Sequence, residues 1–179
     1  MIIWLSSYPK SGNTFLRALL TSYFLTKDGM YDEKQLLKIT QFPSIYLFRK
    51  YGFETSSNLG FVKNYINVQI KMNSVSGKKV RYLKTHSALL DINGYKFTDI
   101  RNTLGVIYIV RDPRTIIKSY ANYFQCSLKE STNRITSFLK LTDNDKENLL
   151  KYKKKFIVSH VGSWSQHYHS WKIFRDFDK

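Results

Sequence analysis

Three consecutive stretches decide how this chain is read: Ile2-Ile3-Trp4-Leu5, then Tyr8-Pro9-Lys10-Ser11-Gly12-Asn13-Thr14, then Phe15-Leu16-Arg17-Ala18-Leu19-Leu20. The first is an apolar strand-like run, the second a small-residue turn carrying a lysine, the third a helix-like stretch. In that order they build an anion cradle. The turn exposes backbone N–H groups, the helix's first turn adds more at the positive end of its dipole, and Lys10 supplies a point charge. Phosphate or sulfate suits such a cradle. In the nucleoside-triphosphate loop the lysine follows the last glycine. Here Lys10 precedes Gly12, so a plain ATPase motif does not match. Taken alone, the turn also reads as a tight connection between strand and helix.

Two further apolar runs end in polar groups. Residues 80–83 lead into Lys84-Thr85-His86, and residues 106–110 lead into Arg111-Asp112-Pro113-Arg114, with Ser119-Tyr120 beyond. The 106–110 run is β-branched and aromatic without polar alternation, which predicts a central strand. Helices are expected over residues 12–25, with Phe15, Leu16, Leu19, Leu20 and Tyr23 on one apolar side, over 32–39 behind an Asp32 cap, and near 61–72. Asp112 caps a further helix whose first position is Pro113. Residues 126–156 read as a polar surface excursion of two short helices that includes Lys153-Lys154-Lys155, and 159–174 as a return to helix. Strands alternating with helices predict an α/β fold with a parallel sheet flanked by helices, its ligand beyond the C-terminal strand ends.

A chain of 179 residues suits a single domain spanning 1–179, and 42% hydrophobic with 16% aromatic residues suits a folded core. The 29 Lys and Arg against 13 Asp and Glu leave +16, which points to an anionic partner. A lysine-rich surface reflecting compositional habit is the alternative. One cysteine, Cys126, excludes an internal disulfide and a cysteine-based metal cluster. The leading apolar segment is too short for a signal peptide and no stretch spans a bilayer, so a cytoplasmic location is expected. No HExxH, CxxC or EF-hand pattern occurs, and no metal is expected.

The motifs YPKSGNT at 8–14, KTH at 84–86, RDPR through Ser-Tyr at 111–120, and Gly162-Ser163-Trp164 with Trp171 occur in one order along most of the chain. In these the sequence resembles the sulfotransferase family that uses 3′-phosphoadenosine 5′-phosphosulfate (PAPS). The resemblance implies a P-loop NTPase-like architecture and PAPS as donor co-substrate. It places Lys10 beside the 5′-phosphate and the oxygen bridging to sulfur, with Ser11, Gly12, Asn13 and Thr14 wrapping that phosphate. Phe15 stands where many relatives carry a tryptophan and would contact adenine. Arg111 and Ser119 would grip the 3′-phosphate, and the acceptor would be a small molecule or glycan with a hydroxyl or amine. Family members continue with a further strand and an Arg-Lys-Gly loop, so the chain is expected to be C-terminally incomplete relative to them.

His86 is the expected general base, because imidazole accepts a proton near neutral pH, and Lys84, two residues back on an extended segment, shares its side. A histidine after a strand also has a structural reading. Trp164 and Trp171, seven apart on an amphipathic helix, read as core, and His160, His167 and His169 as exposed or incidental. Aromatic residues between Tyr46 and Tyr65 line an acceptor pocket or belong to the core. The alternatives to catalysis are a non-catalytic module binding adenosine 3′,5′-bisphosphate or a related anion, and nucleic-acid binding by net charge; no specific nucleic-acid motif is present.

Overall fold

The computed structural model describes residues 1–53, 57–77, 79–142 and 157–175. Its elements run β1 (Ile2–Ser7), α1 (Asn13–Leu25), α2 (Glu33–Leu36), α3 (Ile45–Lys50), α4 (Asn58–Lys63), α5 (Tyr65–Ser76), β2 (Arg81–Thr85), β3 (Asp91–Ile92), β4 (Tyr95–Lys96) and β5 (Thr103–Ile109). They continue as α6 (Pro113–Phe124), α7 (Leu128–Thr136), β6 (Leu139–Thr142), β7 (Val158–Gly162), α8 (Trp164–Lys172) and a 3₁₀ turn (Ile173–Arg175).

Three parallel strands in the order β2-β1-β5 form the sheet that carries the fold. Its register pairs Ser6 with Thr85 and Ser7 with Ile109, so the three C-terminal ends lie level. The expectation of a central strand at 106–110 is corrected: β1 is the central strand and β5 bounds the sheet among the described residues. Ile3 pairs with Tyr82 on one side and Gly105 on the other, while Leu104, Ile107 and Val110 stay substantially exposed. An unbroken apolar run reads as burial on both faces, yet among the described residues this strand pairs with β1 only and keeps these side chains exposed. Leu104 is the extra residue of a bulge between the Ile2 and Ile3 pairings.

Ile2 and Trp4, two apart on β1 and therefore on one face, enter a cluster rich in aromatics that includes Phe42, Phe48, Phe61, Tyr65, Phe97 and Trp171. The indole N–H groups of Trp4 and Trp171 donate to Thr103 Oγ1 and the Ser87 carbonyl, both at 3.0 Å, so the rings are buried without a lost hydrogen bond. Phe48, Phe61 and Tyr65 are thus core residues. Tyr8, Ile116, Tyr120, Ile135 and Val161 make a second cluster against α6 and α7.

Helix α1 departs from its sequence pattern. Phe15, Leu19 and Tyr23 are 70%, 52% and 79% exposed, whereas Asn13 and Thr21 are buried. The helix is rotated by its first residue: Asn13 Nδ2 donates to the Leu5 carbonyl and to Ser7 Oγ, which turns the 13-to-21 face toward the sheet. The helix expected at 32–39 shortens to α2, though Asp32 does cap it. The helix near 61–72 is two, meeting at Asn64. Of residues 126–156, α7 and β6 are described, and Lys153-Lys154-Lys155 lie outside the described residues. Residues Val158–Gly162 are a strand rather than helix, paired antiparallel with β6, and Gly162 (φ 72°) makes the turn into α8. Among the described residues no helix is long and apolar enough to cross a membrane.

Candidate active site

Tyr8 to Ser11 form a turn closed by Ser11 N–H donating to the Tyr8 carbonyl at 3.2 Å. Pro9 at the second position fits, and the third position takes a left-handed backbone: Lys10 has φ 69°. That region is costly for a residue with a Cβ. Gly12 (φ 101°) then caps α1 without any side-chain hydrogen bond, so the first N–H groups of the helix are not taken up by a cap. Lys10 Nζ lies 3.9 Å from the centre of the Tyr123 ring on α6.

Because the strand ends are level, the groups that follow them converge. One cavity of about 750 Å³ is lined by Lys10, Gly12, Asn13 and Thr14 after β1, Lys84 and His86 from β2, and Arg111 and Ser119 after β5. That volume suits a nucleotide-sized ligand. Gln41, Tyr123, Phe124 and the hairpin residues Leu141, Thr142 and Ser159 complete its wall. Lys10, Lys84 and Arg111 bring three cations, and among the described residues no acidic side chain lines it. The described wall is therefore electropositive. Arg111 Nη1 donates to the Lys10 carbonyl at 3.1 Å, joining the β1 and β5 tips directly. Lys84 Nζ donates to Gln41 Oε1 at 3.2 Å, and the Thr40–Phe42 backbone holds the Lys84 peptide from both sides.

His86 Nδ1 lies 2.8 Å from the Ser7 carbonyl. A carbonyl only accepts, so Nδ1 carries the proton and Nε2 keeps the lone pair. Burial, reinforced by the Lys84 charge, pushes the imidazole down to about 3, which leaves it neutral at ordinary pH. The ring at the cavity wall is thus in the form that can accept a proton at Nε2.

Two residues expected at the site stand apart from its wall. Phe15 is 70% exposed and outside the lining, because the Asn13 anchor turns it to solvent. Ser11 is buried, and its hydroxyl has no partner among the described residues. Asp112 acts as the cap: its carboxylate accepts from Arg114 N and pairs with the Arg114 guanidinium, whose hydrogen bonds hold it below the usual carboxylate range. No cluster of three or more His, Cys, Asp and Glu occurs among the described residues.

Sequence reasoning missed Tyr123, Gln41 and His167. Tyr123 lies four residues after Ser119, one helical turn along the same face, which was a usable signal. Gln41 had none, since it reaches Lys84 across 43 positions. The expectation that His167 is exposed or incidental is corrected: it is fully buried, with Nδ1 2.7 Å from Tyr108 Oη and Nε2 3.2 Å from the His86 carbonyl.

A comparison with curated proteins gave no match. The family model described as Sulfotransferase domain matches residues 2–178. That match covers the cradle, both other strand tips and the α8 segment in a single span, and the chain accordingly belongs to the sulfotransferase domain family.

Proposed function

We propose that the protein transfers a sulfuryl group from PAPS to a hydroxyl or amine acceptor by in-line displacement. The observation that carries this reading is one cavity holding three cations, an uncapped helix N-terminus and a neutral histidine, with no carboxylate among the described residues of its wall. A donor with a phosphate at each end and a sulfate matches that charge pattern. Sulfuryl transfer asks a protein to align donor and acceptor, neutralise the leaving and equatorial oxygens, and remove one proton.

In this reading the N–H groups opening α1 and the Thr14 hydroxyl bind the 5′-phosphate, and Lys10 neutralises charge on the departing oxygen. Arg111 and Ser119 bind the 3′-phosphate, the guanidinium fork suiting a terminal phosphate. Lys84 faces the sulfuryl oxygens. His86 Nε2 takes the acceptor's proton while the Ser7 carbonyl steadies the ring through Nδ1. The donor's negative charge offsets the Lys84 field that disfavours the imidazolium, so binding raises the basicity of His86. PAPS supplies the sulfuryl group; everything else in the step is positioning and charge.

The test is transfer of label from [35S]PAPS to a panel of phenols, alcohols, amines and amino sugars by wild type and His86→Ala, alongside calorimetric titration with adenosine 3′,5′-bisphosphate. The reading expects transfer by wild type, its loss by at least about a hundredfold in the variant, and nucleotide binding by both. Transfer at the parental rate by His86→Ala removes the base assignment. Nucleotide binding without transfer to any acceptor favours the non-catalytic module instead.

A further inference from the structure

Sequence pattern gave the α8 histidines no task, yet one of them is fully enclosed beside the site. His167 is 0% exposed. Its ring sits edge-on to Tyr8, with centroids 5.7 Å apart, and its two nitrogens are both engaged. The contact at Nε2 is to a carbonyl, so Nε2 must donate. The neutral ring then has a bare Nδ1, and the Tyr108 hydroxyl donates to it. Every polar atom in this small network is satisfied in one protonation state only.

The carbonyl held by His167 belongs to His86. The Ser7 carbonyl fixes the His86 ring through Nδ1, and Ser7 Oγ is itself held by Asn13 at the opening of α1. Side chain and main chain of His86 are thus gripped from two sides. The cradle side orients the ring, and the α8 side anchors the peptide just beyond the end of β2. Ala88 N–H donating to the His160 carbonyl at 2.8 Å continues the same attachment to β7.

We propose that His167 is a positioning residue for the His86 base, clamping the His86 carbonyl through Nε2–H while Tyr108 fixes the His167 tautomer. This rests on the reading of His86 given under Proposed function, but the clamp can be tested apart from it. Without the donor, the His86 carbonyl loses this partner and the segment relaxes, so Nδ1 of His86 no longer stays on the Ser7 carbonyl. The ring then samples both tautomers. Glutamine at 167 presents an amide N–H near the Nε2 position and restores the clamp; phenylalanine fills the space and cannot donate.

The experiment is long-range 1H–15N correlation spectroscopy of the four histidine rings in wild type, His167→Phe, His167→Gln and Tyr108→Phe, with calorimetric titration of adenosine 3′,5′-bisphosphate as a control on the cradle. The expected result is a single Nδ1–H tautomer for His86 in wild type. His167→Phe should give comparable populations of the two tautomers, and His167→Gln should return the single form. Nucleotide affinity should change less than about threefold throughout, because the α1 cradle is not touched. An unmoved His86 spectrum in His167→Phe overturns the proposal, as does equal perturbation by Gln and Phe. Should His167→Phe fail to fold, Tyr108→Phe decides: it removes one hydroxyl, frees the His167 tautomer and must shift His86 toward averaging. Absence of sulfuryl transfer with His86 locked in wild type refutes the functional reading alone. Transfer with an unmoved His86 in His167→Phe refutes the clamp alone.

Discussion

Lys10 offers a separation of stability from function that few positions allow. Its φ of 69° places a residue with a Cβ in left-handed backbone, at a cost of about 1–2 kcal/mol. Lys10→Ala and Lys10→Gly both delete the ammonium and its contact with the Tyr123 ring, so those losses cancel between the two variants. Only the backbone differs. Glycine relieves the strain but gives back roughly 0.4–1 kcal/mol through its freer unfolded chain. Lys10→Gly should therefore be more stable than Lys10→Ala by about 1 kcal/mol. In thermal unfolding that is a midpoint higher by about 2–4 °C for a chain of this size. Binding should behave differently. Losing a charge-assisted contact worth about 1.5–3 kcal/mol weakens adenosine 3′,5′-bisphosphate roughly 10- to 150-fold, and by the same factor in both variants. Urea or thermal melts and calorimetric titration on the same preparations read the two quantities. An alanine variant as stable as the glycine variant would refute the strained turn, and wild-type affinity in either would remove Lys10 from the anion site.

Arg111→Lys keeps the charge but loses the fork and the bond to the Lys10 carbonyl, so nucleotide affinity should drop about tenfold; unchanged affinity in a titration would contradict the pairing of the two strand tips. Asn13→Asp replaces the amide that donates to Leu5 O and Ser7 Oγ by a buried group with no donor, and should cost about 1–3 kcal/mol or more in urea unfolding. A change under about 0.5 kcal/mol would show that the amide does not set the rotation of α1. Burial holds His86 and His167 near 3 in the folded state, below the ordinary histidine value of 6.5, so the unfolded chain binds more protons between those limits. Stability should then rise with pH through that window and fall as pH drops from 6.5 toward 3. Urea melts across the range should show a shallower slope for His167→Gln than for wild type; equal slopes would mean His167 is not held neutral by the fold.

The strand-turn-helix unit at the start of the chain was legible because everything it needs is local. An apolar run, Pro9 in a turn, Gly12 at the entry of α1 and apolar residues beyond are neighbours in sequence, and so are Asp112 and Pro113 at the entry of α6. The order of the motifs and the resemblance they carry marked Lys10, Lys84, His86, Arg111 and Ser119 as a set. Their meeting in one cavity was not local. It depends on parallel pairings that level Ser7, Thr85 and Ile109, and on contacts spanning 79 and 101 positions between His86 and Ser7 and between Arg111 and Lys10.

Tertiary structure alone decided three other matters. Apolar spacing identified a stripe on α1, but the Asn13 hydrogen bonds turned Phe15, Leu19 and Tyr23 outward. The apolar run in β5 looked central, but a strand's place depends on how many neighbours pair with it. His167 looked incidental because its partners, Tyr108 and the His86 carbonyl, lie 59 and 81 positions away. Periodicity records which residues avoid water; which surface covers them, and which polar atoms meet there, is fixed only when distant segments pack.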